Sequence, residues 1–466
     1  MVLNSLNLAP VSRPAVVRAS SPALVPDLDE LSSWFLCEKV GRDSNTIALG
    51  FKPQGGAQVH DLRQKVEAEL LSNILPFWLN NTIDNKYGGF KGQIANNLTA
   101  DPHAGKGLIL NARILWTFAK AYSVYRDPVY LATARRAFEY LCAAFWDNEF
   151  GGLYWMVDYE GHPSDTKKRI YGQAFTIYAL AEYYHASGNP EALLRAMRLV
   201  DQIETSGHDD ANVGYFETYE RDWKPATDQR LSEVDMDEKK SMNTHLHMLE
   251  AYATLLGVHE DSRVRKRLRE LIEIFLQHIL NADTHHFILF FDEHWKPRSE
   301  VISFGHDIEG SWLLCEAAEK LGDRSVIKRA EDAAANMAQA VYDQAIDPDG
   351  GLLYEAEHGR IINTDKHWWP QSEAVVGFLN AWQLTAQPHF LQAAERSWAF
   401  IDKYIVDHRN GEWFWRVSRE GIPNPDEDKV GPWKCPYHNS RTCFEVMARL
   451  DAAEQKSSQQ ATETKE

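Results

Sequence analysis

"NEFGGLYWMVDYEGHP", Asn148 to Pro163, packs a turn, a short strand and a second turn into sixteen residues. Gly151-Gly152 permits left-handed backbone, the Leu-Tyr-Trp-Met-Val run has strand chemistry, and Glu-Gly-His-Pro ends it. The pattern is repeated along the chain. It returns as "NKYGGFKG" at Gly88, "NVGYFETYERDWKP" at Gly214, "DPDGGLLYEAEHGR" at Gly350 and "RNGEWFWRVSREGIP" at Gly411. Gly88, Gly151 and Gly214 are separated by equal steps of 63 residues, and Gly350 and Gly411 by 61. Midway through the double gap, "HHFILFFDEHWKP" keeps the aromatic strand and charged turn but lacks the glycine.

Between these turns lie paired helical patterns with apolar residues at three- and four-residue spacing. Examples are "ARILWTFAKAYSVY" with "YLATARRAFEYLCAAFW", and "AFTIYALAEYYHAS" with "PEALLRAMRLVDQIE". A fixed period means one supersecondary unit repeated. Six helix pairs with short β-hairpins in their connections predict an all-α (α/α)6 barrel around one pocket, occupying residues 59–453. An open solenoid has the same period, but it does not explain why polar anomalies fall at equivalent places in the repeats.

The flanks read differently. Residues 1–58 begin with Arg13 and Arg18 and no acid through Pro26, a composition resembling a transit peptide without the apolar stretch of a secretory signal. A disordered extension or a misassigned start is the preferred reading. The polar end, "EQKSSQQATETKE" over 454–466, predicts a disordered tail.

Composition narrows the function. A formal charge of −18 without a basic patch argues against nucleic acid and anionic membrane as partners. No apolar run reaches the ~18 residues of a membrane span. Five cysteines with no CxxC pair fit reduced thiols and a cytoplasmic location. Fifteen Trp, 18 Tyr and 20 Phe make 11% of the chain, which suits stacking on the C–H faces of sugars.

The candidate residues sit near the starts of inner-helix patterns. Arg113 lies among apolar residues in "GLILNARILWTF", either snorkelling outward or facing the pocket. Asn243 and His247 share a helical face in "KKSMNTHLHMLEAYATLL", with His245 pointing elsewhere. In "FGHDIEGSWLLCEAAEKL", His306 and Glu309 are three apart, as if the carboxylate tunes the imidazole, while Asp307 suits a helix cap. "DKHWWPQSEAVVGFLNAW" sets Trp369 about one turn from Glu373, and the "GPWKCPYHNSR" loop, held by Pro432 and Pro436, carries Trp433 and His438. A zinc site from His247, His306 and His438, with or without Glu309 as a fourth ligand, is the alternative. There is no HExxH, and the nearest phosphate-loop candidate, Gly105-Lys106, has Ala100 and Gly107 at positions that need Gly and Ser or Thr.

Five segments in order, "GLILNARILWTF", "NTHLHMLEAYA", "GHDIEGSWLL", "KHWWPQSEA" and "GPWKCPYHNSR", resemble cellobiose 2-epimerases of the N-acylglucosamine 2-epimerase superfamily. The resemblance spans about Val59 to Leu450. It implies an (α/α)6 barrel and reversible C2 epimerisation of the reducing-end glucose of β-1,4-linked disaccharides. It places Arg113, His247, His306, Glu309 and His438 at catalytic positions, Tyr171 and Asn243 around the reducing sugar, and Trp369 and Trp433 at sugar-stacking positions. It implies no cofactor or metal; the partner expected is a small disaccharide, and the chain is expected as a monomer or weak homodimer.

The chemistry agrees. Only the open-chain aldehyde acidifies C2–H, so a base must remove that proton and an acid must return it to the other face. Two imidazoles near neutrality suit both tasks, and His306 and His438 are the expected pair. His247 would act at O1 or in ring opening, and Arg113 on the enediolate oxygen. The alternatives are an N-acylglucosamine or mannose 2-epimerase or isomerase, an (α/α)6 glycoside hydrolase using Glu309 and Glu373, and a sugar-binding module without turnover.

Overall fold

Five inner helices hand over to their outer partners through a two- or three-residue turn, and local chemistry dictates it. α3 (Leu108–Tyr125) ends at Arg126 in the left-handed conformation, and Asp127 then caps α4 (Pro128–Tyr140) by accepting from Val129 N–H. α5 (Ile170–Ser187) ends on Gly188, and Asn189 caps α6 (Pro190–Ser206) in the same manner. A cap side chain followed by proline starts a helix, and a left-handed residue ends one. The other pairs are α7 (Met242–Val258) with α8 (Ser262–Ile274), α9 (Phe304–Leu321) with α10 (Arg324–Ala345), and α11 (Trp368–Thr385) with α12 (Pro388–Phe400). The sixth pair joins the chain ends: α1 (Gly56–Glu69) and α2 (Leu75–Asn81) form the outer partner of α13 (Tyr437–Glu463).

This computed structural model describes residues 56–463. The extension expected over 1–58 therefore lies outside the described residues up to position 55, while Gly56 already opens α1. At the other end α13 runs to Glu463, past the disordered tail expected from 454. Ala, Gln, Glu and Lys in that tail are good helix formers, and they extend a helix already nucleated by its packed half.

Burial separates the two rings. α5 is enclosed almost all round, from Ile170 to Tyr183, as befits a helix with neighbours on every side. α8 instead buries a stripe of Val264, Leu268, Leu271 and Ile272 and leaves its charged face outward. The inner helices pack in the cyclic order α3, α5, α7, α9, α11, α13 and back to α3, which excludes the open solenoid. A second ring closes in the same order. Each short strand before an inner helix pairs antiparallel with a strand of the next repeat, as Lys106–Gly107 does with Met156–Val157. The last ladder, Ile94–Ala95 with Asp428–Val430, joins the first repeat to the final one.

Two ties recur under these ladders. A buried lysine before the inner helix pairs with the aspartate that opens the glycine turn: Lys106–Asp84, Lys168–Asp147, Lys240–Asp209, Lys366–Asp347 and Lys429–Asp407, at 2.7 to 3.0 Å. In the repeat without the glycine, Asn281 stands at the aspartate position and His285 takes the left-handed backbone at φ +61°. Inner-helix side chains also accept the N–H of the residue that follows the turn. Gln173 does so for Leu153, His245 for Tyr215, Asp307 for Phe287 and Gln371 for Leu352. Asp307 is thus a loop staple and not the cap suggested by its position, because its carboxylate also bonds His286 Nδ1 at 2.8 Å.

Candidate active site

The first two turns of all six inner helices converge at one end of the barrel axis, and every sequence candidate lies there or in the loop before α13. Arg113 of α3 donates to the Tyr171 hydroxyl of α5 at 3.0 Å and to Cys435 Sγ at 3.6 Å. Its guanidinium lies 4.2 Å from the Phe175 ring and 4.8 Å from that of Tyr437. Among the described residues it forms no ion pair with a carboxylate, and its Nε has no partner. A buried cation in such surroundings is poised for an oxyanion.

His247 of α7 meets Tyr171 edge to face, ring centroids 5.0 Å apart, and its Nδ1 lies 3.0 Å from Glu250 Oε2. Desolvation alone would raise Glu250, but Arg441 foremost and His247 after it hold the carboxyl down at about 2. An ionised Glu250 accepts from Nδ1–H, so Nε2 of His247 is the free nitrogen. Asn243, one turn earlier on that face, has a buried Oδ1 without a partner.

His438 is buried among the three imidazoles facing the axis. Its Nδ1 lies 2.7 Å from Glu373 Oε1, and Glu373 Oε2 accepts from Trp312 Nε1 at 3.1 Å. Burial first, then the charges of Arg113 and Arg441, push His438 well below the ordinary imidazole range, outweighing Glu373. His306 sits across Trp369, whose ring centroid is 4.6 Å from His306 and 5.7 Å from His438. Burial, and after it the neighbouring His247, push His306 down to about 3.

One expected pairing fails. His306 and Glu309 share a face of α9, yet His306 Nδ1 bonds Ser303 Oγ at 2.8 Å. Glu309 turns to Arg441 of α13 and lies 3.9 Å from His438 Nδ1. A permanent guanidinium charge wins the carboxylate over a neutral imidazole. Burial, and then the charge of Glu373, push Glu309 up to about 7.

The loop also differs from expectation. His438 belongs to the first turn of α13 and not to the loop itself. Buried Lys434 anchors the loop on Glu412 at 2.6 Å, and Glu412 also accepts from Trp78 and Asn439. Trp433 is thereby held half-buried, 5.6 Å from Trp155 and 5.7 Å from Tyr171 between ring centroids.

Arg441, Glu250, Tyr437 and Trp155 were not singled out by the sequence. Glu250 had a signal, a carboxylate three residues after His247 inside an apolar run. Arg441 had none, since its partners come from three other helices. Among the described residues the three histidines do not form a common metal-ligand group. Glu309, Glu373 and His438 do bring ligand atoms within 4.8 Å of one another, but Arg441 already bonds both carboxylates.

Residues 88–441 match the family described as N-acylglucosamine 2-epimerase (GlcNAc 2-epimerase). A cellobiose 2-epimerase of Bacteroides fragilis is 45% identical over 388 residues, covering 83% of this chain and 98% of its own. One from Dictyoglomus turgidum is 39% identical over 84% of this chain and 99% of its own. The solved structure of cellobiose 2-epimerase from Bacillus thermoamylovorans B4167 superposes with a TM-score of 0.79 at 40% identity, covering 84% of this chain and all of that one. Fold, site and relatives together define a carbohydrate epimerase. More narrowly, the chain belongs to the N-acylglucosamine 2-epimerase family, alongside the cellobiose 2-epimerases.

Proposed function

We propose that the protein interconverts glucose and mannose at the reducing end of β-1,4-linked disaccharides, turning cellobiose into glucosyl-mannose and lactose into epilactose. The observation that carries the reading is the packing of both His306 and His438 against the one Trp369 ring, with His438 Nδ1 held by Glu373. His247 assists ring opening at O1, its Nε2 left free by Glu250. One imidazole of the His306–His438 pair then takes the C2 proton. The C2–H electrons form a C1–C2 double bond, and the C1 carbonyl becomes an enediolate oxygen beside Arg113. A preorganised cation of this kind contributes about 3 kcal/mol to such a transition state. Rotation about the bond between C2 and C3 presents the other face, and the opposite imidazolium returns a proton to C2. Tyr171 and Asn243 hold the reducing sugar, and Trp369 stacks on it.

The disaccharide assignment draws on Trp433 with Trp155, a second aromatic surface that a monosaccharide does not need. A hydrolase is disfavoured by the carboxylates. Glu309 and Glu373 both bond one nitrogen of Arg441, whereas glycosidic cleavage needs two acids flanking the scissile bond. A cytoplasmic setting is in keeping with the unpaired Cys142, Cys315, Cys435 and Cys443 among the described residues, where no helix is long and apolar enough to cross a membrane. Incubation with cellobiose, followed by chromatography of the sugars, tests the reading. Glucosyl-mannose supports it, and free glucose or unchanged cellobiose contradicts it.

A further inference from the structure

Behind the imidazoles lies a charged cluster whose central arginine the proposed chemistry leaves without a role. Arg441 is enclosed, its guanidinium 4.8 Å from the Trp312 ring and 4.3 Å from the Tyr437 ring. One terminal nitrogen bonds Glu250 of α7 and the Tyr437 hydroxyl, and the other bonds Glu309 of α9 and Glu373 of α11. Glu250 holds His247 Nδ1 and Glu373 holds His438 Nδ1. A continuous line of contacts therefore runs His247, Glu250, Arg441, Glu373, His438, joining three inner helices behind the pocket.

We infer that Arg441 is a positioning residue that sets the orientation and tautomer of His247 and His438 together, by holding the carboxylate partner of each. The inference rests on the reading of both histidines as groups that face the sugar. A cation needed only for packing would be served by any acceptors, and buried ion clusters are often replaceable by apolar groups. Here two of the three carboxylates that bind Arg441, Glu250 and Glu373, also bind an imidazole. A proton gained by one histidine is consequently felt at the other through a shared charge.

The groups facing His438 are Glu373 from α11, Glu309 and His306 from α9, Arg441 and Tyr437 from α13, Arg113 from α3 and His247 from α7. From α5, Tyr171 and Tyr178 face the same cluster. Among these, Arg441 is one of two permanent cations opposing protonation of His438. Its removal moves the acid limb of the rate profile to higher pH.

The test uses full-length protein with 15N-labelled histidine rings, read by nitrogen–proton correlation, beside steady-state kinetics on cellobiose. In the unmodified protein His247 and His438 appear as Nδ1–H tautomers. Arg441→Gln is expected to disturb both rings and to lower kcat at least about tenfold, with KM changed less than about threefold. Its acid limb rises in pH, and Arg441→Lys restores that limb while kcat stays low. A response of only one ring, or an unmoved pH profile, overturns the inference. Should Arg441→Gln fail to fold, Glu250→Gln decides. The His438 ring, on the far side of Arg441, then titrates at lower pH because the cluster has lost a negative charge. An unmoved His438 overturns the inference. Coupled rings in a protein that epimerises nothing would leave the positioning role standing and remove the functional reading.

Discussion

Glu373 Oε1 bonds His438 Nδ1 at 2.7 Å and an Arg441 nitrogen at 2.6 Å, so one buried oxygen orients the imidazole and is itself fixed. Glu373→Gln keeps the shape but replaces an obligate acceptor by an amide that can present a donor. His438 then has no reason to keep its proton on Nδ1. The expected outcome is a fall in kcat of about 10²- to 10⁴-fold on cellobiose with little change in KM, the range seen when an acid–base group loses its tautomer. Steady-state kinetics on cellobiose checks it.

Trp433 sits beside Trp155 and Tyr171 at the mouth of the site. Trp433→Ala removes one stacking face, worth about 0.5–1.5 kcal/mol. KM for cellobiose is expected to rise roughly three- to tenfold, with kcat nearly unchanged. Equal losses in kcat would instead make Trp433 part of the reacting centre.

Asp147 and Lys168 form an ion pair at 3.0 Å with both side chains fully enclosed. Asp147→Asn leaves the buried Lys168 without its carboxylate, while Arg221 keeps Glu149, and this costs about 3–5 kcal/mol in unfolding free energy. Burial, partly offset by Asp147, already pushes Lys168 down to about 8. The penalty should therefore shrink as pH rises and the lysine sheds its proton. Chemical denaturation of the variant at pH 7 and pH 9 measures both effects.

His245 is completely buried and fixed in one neutral tautomer, with Nδ1 donating to Ser241 O at 2.7 Å and Nε2 accepting from Tyr215 N at 2.9 Å. Burial, against the Ser241 bond, pushes it down to about 3. Its folded value lies below the unfolded one of about 6.5, so the native state resists protonation. The stability tied to it is complete above pH ~6.5 and declines as pH falls toward 3, by about 1.4 kcal/mol per unit. Glu217 behaves oppositely, because burial raises it to about 8 and its contribution declines as pH climbs from ~4.5. Unfolding between pH 6.5 and 4.5 should be less acid-sensitive in His245→Gln, while Glu217→Gln should lose the alkaline decline.

The repeat was legible because a left-handed turn restricts residue type. Gly88, Gly151 and Gly214 mark it openly, while His285 shows that the backbone tolerates a substitute and hides the mark. Positions on a helix were legible for the same local reason: Arg113, His247, His306 and Trp369 all lie on the axial side of their helices. Pairings between helices were not. Glu309 looked like the partner of His306 because spacing reports only its own helix, and Arg441 reaches it from 132 residues away. The lysine–aspartate ties had a periodic signal in the residues before five of the six inner helices. Their meaning appears only once the turn folds back over the helix start.

Proton NMR of the purified protein with cellobiose in D2O tests the central claim most directly. The account predicts a new mannose-type anomeric signal at the reducing end, deuterium entering C2, and loss of both when His438→Asn replaces the protein. Unchanged cellobiose, or release of glucose without a C2 epimer, would contradict it.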